Sequence, residues 1–399
     1  MLFATLTLAG AVQFALSHSP TIAKQTAVVS QMESAYVRAR SQTLPGVVGQ
    51  LQNQMSKSAN YTGQYSVIGA SQAAVFSQNT ASLGTSYLFN GGLSHYLSVA
   101  ARQQYEQAQA DLRGAEQQLT DNVASGYFAL ASKNEAVRLD EGDLRYQQTL
   151  VNVAKAKEHA GVAAGVDVLS AQAAEEKSRY ALASAQADAQ NAAESLAQII
   201  GAPLDTGFDV PAQIAQPHLP SQPIEALIAL AQEHRPDVAS ARDAVAIAQT
   251  NRRSADTDLY PQIQLSAGIG NQFSPTQAVM ESHFGPVARG SAGYWNINAL
   301  STISLPLLDW GARRANHRNL NEQIAAAQAN LGAARTQAEI EVRQSYRGAQ
   351  TALTQLSSAQ DETRYASEAA RVAQLQYEHG LITLVDVQQR QQNALSAQV

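Results

Sequence analysis

The sequence contains no cysteine, which excludes disulfide bridges and metal sites built on thiolates. Charged residues are scarce at 15%, against about a quarter in ordinary soluble domains. Aromatic residues make up only 6% of the chain, so a large aromatic-filled globular core is not expected. Alanine and glutamine are abundant instead. This mixture favours long helices with small side chains at their contacts.

The residues that would indicate nucleic-acid binding or catalysis are also missing. The net charge is −6, and no basic patch or aromatic-plus-arginine run suggests a nucleic acid. The eight histidines are scattered without metal-ligand spacing, and no glycine motif is followed by the Gly-Lys-Ser/Thr of a phosphate loop. No nucleophile–base pair can be argued. We therefore expect no enzyme, no metal and no cofactor.

The sequence contains an internal duplication. Pro20 and Pro45 recur as Pro236 and Pro261 at an offset of 216 residues, which later becomes 219. The pairs at the larger offset are Gly92 with Gly311, Tyr127 with Tyr346, Gly161 with Gly380, and Asp167 with Asp386. Such a long period indicates a duplicated domain rather than a solenoid.

The duplication divides the chain into a first repeat over 1–200, a linker rich in proline over 201–223, and a second repeat over 224–399. It also bears on the ends. Residues 1–16 align with the start of the second repeat, so we expect them to belong to the mature fold and any export signal to lie upstream. Val399 aligns with Tyr180, so we expect the complete protein to continue for about 20 residues.

Each repeat predicts two stacked helices broken at a proline, a β-hairpin, one long helix and a returning helix. The predicted strands lie at about 46–54, 80–89, 262–271 and 296–308. Pro45 and Pro261 open the first strand of each hairpin, and Gly92 and Gly311 turn the second strand into the long helix.

The long helix of the first repeat is predicted from the proline-free stretch 92–161. Apolar residues follow at seven-residue spacing, which predicts a coiled-coil-like seam on a rod of roughly 100 Å. These residues are Val123, Leu130, Val137, Leu144 and Val151. The chain then reverses at 161–167 in the first repeat and at 380–386 in the second.

The predicted strands alternate apolar with small or polar side chains. Leu83, Thr85, Tyr87 and Phe89 share one face, and so do Ile297, Ala299, Ser301, Ile303 and Leu305. Strands of about ten residues with one lipid-compatible face are typical of a membrane β-barrel. Four strands leave edges, so closure would require several chains. The alternative is a soluble β cap on a coiled-coil protein.

The ordered set of these marks resembles the TolC-like outer-membrane factors over essentially the whole chain. The marks are the helix start from Leu8 to Pro20, the entries at Pro45 and Pro261, the exits Phe89-Asn90-Gly91-Gly92 and Leu308-Asp309-Trp310-Gly311, and the turns Gly161-x5-Asp167 and Gly380-x5-Asp386. Each is degenerate alone, but the set at duplicated spacing is specific.

The resemblance implies a mainly α fold with a small membrane β-barrel portion, located in the outer membrane and extending into the periplasm. Three chains of four strands would form a twelve-stranded barrel above a long α-helical barrel. The resemblance also implies that the two turns contact a periplasmic adaptor. The residues of these turns are Gly161, Gly165, Asp167, Val168, Leu169, Gly380, Leu381, Thr383, Asp386 and Val387.

The second turn is also the expected gate. The resemblance implies an acidic ring at Asp386 and a latch tyrosine at Tyr377. Gln389 stands where a second acidic residue would be, and Ile382 where a latch arginine would be, so a weaker gate is expected. On physical grounds we expect Asp167 and Asp386 to be the N-caps of the returning helices.

The sequence therefore predicts a homotrimeric exit duct of a tripartite efflux pump or a type I secretion system. Its partners would be the adaptor, an inner-membrane transporter of the RND, ABC or MFS type, and the lipid bilayer. The alternative from another class is a periplasmic or surface coiled-coil scaffold without a pore.

Overall fold

The structure is a computed structural model of the 399-residue chain. It describes residues 6–59, 73–162, 164–204, 208, 210, 217–274, 281–282, 285–286 and 292–398. For residues 56–59, 73–77, 274, 281–282, 285–286 and 292, only the backbone is described. No helix among these residues is long and apolar enough to cross a lipid bilayer.

The first half of the chain contains two consecutive helices, a hairpin, a very long helix and a returning helix. They are α1 (Leu8–His18), α2 (Pro20–Ser41), β1 (Gly46–Ala59), β2 (Ala73–Phe89), α3 (Leu93–His159) and α4 (Gly165–Ile200). The side chain of Thr7 caps α1 by accepting a 3.2 Å hydrogen bond from the amide of Gly10. Helix α1 ends at Ser19, which is extended because a proline follows it, and Pro20 begins α2.

The second half repeats this order. Its elements are α5 (Ile224–His234), α6 (Pro236–Ala255), a 3-10 helix (Asp256–Leu259), β3 (Gln262–Ser274), β4 (Glu281–Ser282), β5 (Gly285–Pro286), β6 (Ala292–Ser304), α7 (Ala312–Glu378) and α8 (Leu384–Gln398). Arg235 is extended before Pro236, which reproduces the break before α2. Part of the predicted linker, residues 205–207, 209 and 211–216, lies outside the described residues. The division into repeats stays a prediction.

Helices α3 and α7 each have 67 residues, which corresponds to about 100 Å at 1.5 Å per residue. Helix α3 begins and ends within two residues of the predicted boundaries. The predicted seam is buried at Val123, Leu130 and Val151 and partly buried at Val137 and Leu144. Seven-residue spacing therefore identified the packed face of this helix.

Four strands form one antiparallel sheet in the order β1-β2-β3-β6. The two hairpins join through β2 and β3, whose register pairs Leu83 with Ile269 and Tyr87 with Leu265. Within the described residues, β1 and β6 are each paired on one side only and are the edges of this sheet. The short strands β4 and β5 pair with each other and were not predicted.

The register separates the side chains of this sheet into two faces. Odd-numbered residues pair with odd-numbered ones throughout, as at Gly49↔Leu83, Ile269↔Ile297 and Ile263↔Ile303, and they form an apolar face. The even-numbered face is mostly polar, with Gln50, Ser82, Gln264, Gln272, Asn296, Asn298 and Thr302. Neither face carries a charged residue over 46–55, 78–89, 262–273 and 293–304. The predicted alternation is confirmed.

All four strands differ from their predicted bounds at one end or at both ends. Strand β1 extends to Ala59 and strand β2 begins at Ala73, because backbone pairing continues through 55–59 and 73–79, where apolar and polar residues do not alternate regularly. Strand β3 continues to Ser274. Strand β6 runs over 292–304 instead of 296–308, and Pro306, which has no amide hydrogen, is incompatible with continuing the ladder.

The chain divides into two compact units, and each combines segments from both halves of the sequence. Unit 1 comprises 1–29, 108–241 and 331–399, and unit 2 comprises 30–107 and 242–330. In unit 1, α1 and the end of α4 pack on α3 through a cluster of buried side chains. The cluster comprises Ala11, Ala15, Ile22, Leu119, Val123, Tyr127, Leu130, Leu196, Ile200 and Val210.

The end of α4 depends on a glycine. Gly201 is the C-cap with φ of 75°, and a Cβ atom there would lie 2.9 Å from the backbone oxygen of His18. We expect Gly201→Ala to lower the free energy of unfolding by about 1–2 kcal/mol, because the left-handed conformation and the contact both penalise a side chain. The measurement is heat unfolding of the purified protein followed by circular dichroism.

Gly348 provides the matched control, because it is exposed inside α7 and a Cβ atom there meets nothing within 4 Å. Gly348→Ala should raise the unfolding temperature slightly, since alanine is favoured over glycine in a helix by about 0.5–1 kcal/mol. Equal shifts for the two variants would contradict the role assigned to Gly201.

Candidate functional site: the two helix-connecting turns

The first turn, between α3 and α4, and the second turn, between α7 and α8, have the same backbone. Gly161 and Gly380 have φ of 69° and 77°. The amides of Gly161 and Val162 donate to the oxygens of Glu158 and Lys157, both at 2.9 Å. The amides of Gly380 and Leu381 donate to Tyr377 and Gln376 at 2.9 and 2.8 Å. Both helices thus end in a Schellman motif, in which glycine adopts the left-handed conformation without strain.

The expected N-cap role of the two aspartates is wrong. The N-cap of α4 is Ala164, which has no side chain to accept a hydrogen bond, and Asp167 is the third residue of the helix. In the second turn the residue before α8 is Thr383, and Asp386 is again the third residue of the helix. The returning helices start two residues before the aspartates, which therefore lie in the first helical turn, since only two residues separate each Schellman motif from the next helix.

Asp386 instead completes a capping box with Thr383. Its carboxylate accepts hydrogen bonds from the amide of Thr383 at 3.2 Å and from its hydroxyl at 2.7 Å. The amide of Asp386 donates back to the hydroxyl oxygen of Thr383 at 3.3 Å. This reciprocal arrangement satisfies amides that the helix start leaves without partners. The first turn has no equivalent, because Ala164 stands where Thr383 does.

The hydrogen bonds from Thr383 lower the pKa of Asp386, and the charge of Arg390 lowers it further. The carboxylate is exposed and ionised at neutral pH. Gln389 lies one helical turn further on, is also exposed, and donates to the side-chain oxygen of Asn393 at 3.1 Å. Asp386 and Gln389 therefore both face solvent in the described chain.

Tyr377 is buried in an apolar cluster that joins both turns. Its other members are Leu150, Val151, Ala154, Val168, Ala171, Ala373, Leu384 and Val387, with Ile382 packed against it. Burial raises the pKa of Tyr377, and the charge of Asp167 raises it further. Val168 and Val387, predicted to contact an adaptor, are thus core residues of this cluster rather than exposed ones.

The sequence did not predict Lys157 as a partner of Tyr377. Its ammonium nitrogen lies 3.8 Å from the ring centroid of Tyr377 and donates to the backbone oxygen of the same residue. A cation over a tyrosine ring is stabilising by about 0.5–2 kcal/mol, depending on how far it is desolvated. The end of α3 is thereby connected to the end of α7. No sequence signal marks this pair, because 220 residues separate its members.

A second group that was not predicted lies between α3 and α4. The buried carboxylate of Asp143 accepts hydrogen bonds from the hydroxyl of Ser178 and from the side-chain amide of Gln147. Burial, together with the charges of Asp143 and Glu378, raises the pKa of the nearby Tyr146 to about 12. The signal available in the sequence was the set of polar residues interrupting an apolar seam.

Other residues at the turns are exposed and apolar. They are Val162, Val166 and Leu169 in the first turn and Leu381 and Val385 in the second, each at least 66% exposed. Gly165 begins α4, and a Cβ atom there would lie 2.9 Å from the carboxylate of Glu158. The two turns therefore present apolar side chains around backbones that need glycine.

The predicted junction residues lie at the ends of the strands. Pro45 directly precedes β1 and Pro261 directly precedes β3. Gly92 and Gly311 precede α3 and α7 with φ of 94° and 91°. Within the described ranges, no three His, Asp or Glu side chains are grouped so as to hold a metal ion.

The capping box gives a first prediction for this site. Thr383→Ala should weaken the start of α8 by about 1 kcal/mol and speed amide hydrogen exchange at 384–387 about fivefold, because the hydroxyl is lost. Thr383→Ser retains the hydroxyl and should exchange like the parent. The first turn should be unaffected in both variants. Identical exchange in the alanine and serine variants would contradict the capping role.

The same box predicts the direction of a pH effect. Because the folded pKa of Asp386 is below its ordinary value of 3.8, its contribution to stability is present above that value. The contribution is lost as the pH falls through the lowered folded pKa. Protection of the amides of α8 should therefore decrease on acidification in the parent and much less in Asp386→Asn.

Comparison with known proteins supports the resemblance noted in the sequence. A family model described as outer membrane efflux protein matches residues 11–202 and 227–399. Protein CyaE of Bordetella pertussis is 24% identical over 342 residues, covering 86% of this chain and 68% of that protein. The probable efflux pump outer membrane protein TtgC of Pseudomonas putida is 23% identical over 336 residues, covering 82% and 66%. The chain spans about two thirds of the length of these curated relatives.

Solved structures share the fold at low sequence identity. The outer membrane protein VceC of Vibrio cholerae matches with a TM-score of 0.75 at 22% identity, covering 98% of this chain and 90% of that one. The CmeC outer membrane channel of Campylobacter jejuni matches with a TM-score of 0.77 at 18% identity, covering 98% and 80%. The predicted fold class, mainly helical with a four-stranded sheet, is thereby confirmed.

Because the family model covers both halves of the chain and leaves out mainly the linker, this chain belongs to the outer membrane efflux protein family, is located in the outer membrane and is not an enzyme.

Proposed function

We propose that this chain is the passive exit duct of a tripartite efflux pump or of a type I secretion system. It would act as a homotrimer together with a periplasmic adaptor and an inner-membrane transporter of the RND, ABC or MFS type. The observation that carries the proposal is the sheet of four strands with one apolar face, one uncharged polar face and two edges.

The edges support assembly of several copies. An unpaired strand edge in hydrocarbon leaves backbone amides and carbonyls without partners, each at a cost of several kcal/mol. Pairing β6 of one copy with β1 of the next removes both edges. Three copies would give twelve strands, with the apolar face towards lipid and the polar face towards an aqueous lumen. A pore-less scaffold has no use for such a sheet.

We propose that the second turn, and not the sheet, determines ion selectivity. Over 46–55, 78–89, 262–273 and 293–304 the strands carry no charged side chain, whereas Asp386 is exposed and ionised. Three copies of this carboxylate around a threefold axis would attract cations and repel one another. Gln389 adds no charge there. The gate is therefore proposed to contain a single acidic ring.

The closed arrangement of the gate is proposed to depend on Tyr377. Lys157 holds this residue through the cation–π contact and the hydrogen bond to its backbone. Ile382, which stands where the resemblance places a latch arginine, packs against the apolar cluster instead. A contact within one chain would thus replace the salt-linked latch.

The direct test is single-channel conductance of the purified protein in a planar bilayer. We expect conductance with a preference for cations. Asp386→Asn should reduce the cation-to-anion permeability ratio on the order of twofold, because it removes the ring of charge while keeping the side-chain shape. Gln389→Asp should change the ratio in the opposite direction by adding a second ring.

Two results would count against the proposal. Persistent silence, with protein that needs no detergent for extraction, would favour the scaffold over the channel. Unchanged selectivity in both the Asp386 and Gln389 variants would limit Asp386 to its capping role with Thr383.

The exposed apolar residues of the turns are the proposed adaptor contacts. Val162 and Leu381 occupy corresponding positions after the two glycines and are 74% and 73% exposed. Replacing both with serine should weaken binding of the periplasmic adaptor by about tenfold or more, as expected for central apolar contacts. Surface plasmon resonance with the purified adaptor provides the measurement.

Tyr365→Ser is the control, because Tyr365 is 66% exposed on α7 outside the turns. It should leave adaptor binding unchanged. A loss as large as that of the turn variant would show that the contact is not confined to the turns.

A further inference from the structure

The segment that connects β6 to α7 carries an unusual concentration of exposed apolar side chains. Leu307, Leu308 and Trp310 are 84%, 68% and 90% exposed. The segment follows directly on the strand whose odd-numbered residues Ile297 and Ile303 belong to the apolar face. The apolar surface of the sheet is thus continued along the chain beyond the last paired residue.

Trp310 also has a strained backbone. It has φ of 52° and is the one non-glycine residue with positive φ among the described residues. Its counterpart in the first half, 219 residues earlier, is Gly91 with φ of 63°. A large side chain is disfavoured in this left-handed region, whereas glycine adopts it freely.

The turn itself is imposed by the start of α7. The carboxylate of Asp309 accepts hydrogen bonds from the amides of Gly311 and Arg313 at 3.2 and 3.1 Å and from the guanidinium of Arg313 at 2.6 Å. These bonds fix the backbone but do not involve the indole. Nothing in this turn requires tryptophan, and a residue kept in a strained conformation points to a use outside the local fold.

A second aromatic residue lies at the same end of the sheet. Tyr260 precedes β3, whose first residue Gln262 pairs with Ser304 at the end of β6. Tyr260 is 56% exposed. A Cβ atom added to Gly91 would lie 2.6 Å from the Cβ atom of Tyr260. A side chain at position 91 would therefore collide with Tyr260, whereas the equivalent position 310 accommodates a tryptophan.

The other tryptophan lies at the opposite end of β6. Trp295 is on the apolar face, 70% exposed, and precedes the apolar residues of this strand. The nine residue steps from Trp295 to Ser304 correspond to roughly 30 Å along the strand. At the strand tilt of a membrane barrel this becomes roughly the 25 Å height of the apolar band. Trp310 follows six residues after Ser304, so it lies beyond the end of the strand that is opposite to Trp295.

We infer that Trp310, together with Leu307 and Leu308, inserts into the boundary between headgroups and acyl chains and anchors the sheet at the end where the helices leave. Indole rings favour this boundary because their surface is apolar while the N–H still reaches water. The inference rests on the membrane insertion of the sheet in the proposed function. It adds an anchor outside the strands.

The test uses the two single-tryptophan variants, since the chain contains only Trp295 and Trp310. Trp295→Phe and Trp310→Phe are each reconstituted at full length into phosphatidylcholine vesicles brominated near the headgroup or near the chain end. We expect bromine near the headgroup to quench Trp310 more strongly than bromine at the chain end. Trp295 should also be quenched by lipid, and it reports membrane insertion of the sheet.

Three results would overturn the anchor. Quenching of Trp310 by aqueous iodide alone would leave it in water, and quenching by neither iodide nor lipid would bury it against another copy of the chain. In both cases Trp295 would still be quenched by lipid, so the proposed function would stand. If lipid quenches neither tryptophan, membrane insertion fails and the anchor fails with it.

Trp310→Gly separates anchoring from folding. Glycine suits the left-handed backbone as it does at Gly91, so the unfolding temperature in detergent should be equal to or above that of the parent. In vesicles the same variant should be released or unfolded by urea at a lower concentration than the parent. A variant as resistant as the parent in vesicles would contradict the anchor.

Discussion

The two edges of the four-stranded sheet are the constraint on which the rest of the fold depends. In water an edge strand can bond to solvent, but hydrocarbon offers no replacement for a missing partner. Under the proposed function, the sheet closes by pairing its edges with other copies of the chain. The pattern of side chains is compatible with that requirement, because one face is mostly apolar, the other is mostly polar, and no charged residue occurs over 46–55, 78–89, 262–273 and 293–304.

The two helix-connecting turns have the same backbone but differ in how the helix that follows is capped. Both use the Schellman motif with a left-handed glycine, and both continue into a helix whose third residue is an aspartate. Only the second turn has a hydroxyl at the N-cap, so only Asp386 is held by a capping box. The backbone of the reversal therefore does not depend on the capping box, and hydrogen bonds to Thr383 fix the orientation of the carboxylate of Asp386 in the second turn.

The sequence predicted the features that depend on local chemistry. Pro20, Pro236 and the spacing of Val123 and Leu130 determine helix breaks and a packed face directly. It failed where a contact joins distant segments or where a backbone pairs without apolar alternation. Three features depend on neighbours that the local pattern does not reveal: the pairing of 73–79 before Thr80, the contact of Lys157 with Tyr377, and the N-cap of α4 at Ala164.

Comparison of the two halves shows which side chains are explained by packing inside the fold and which are not. Gly91 and Trp310 share a left-handed conformation, yet a side chain at Gly91 would collide with Tyr260 and a side chain at Trp310 would not. Packing therefore explains the glycine, and it cannot explain the tryptophan. The same reasoning applies to Ala164 and Thr383, where one helix start tolerates an uncapped residue and the other has a full capping box. Contacts inside the fold therefore account for Gly91 and Thr383, whereas Trp310 points to a contact that the isolated fold does not require.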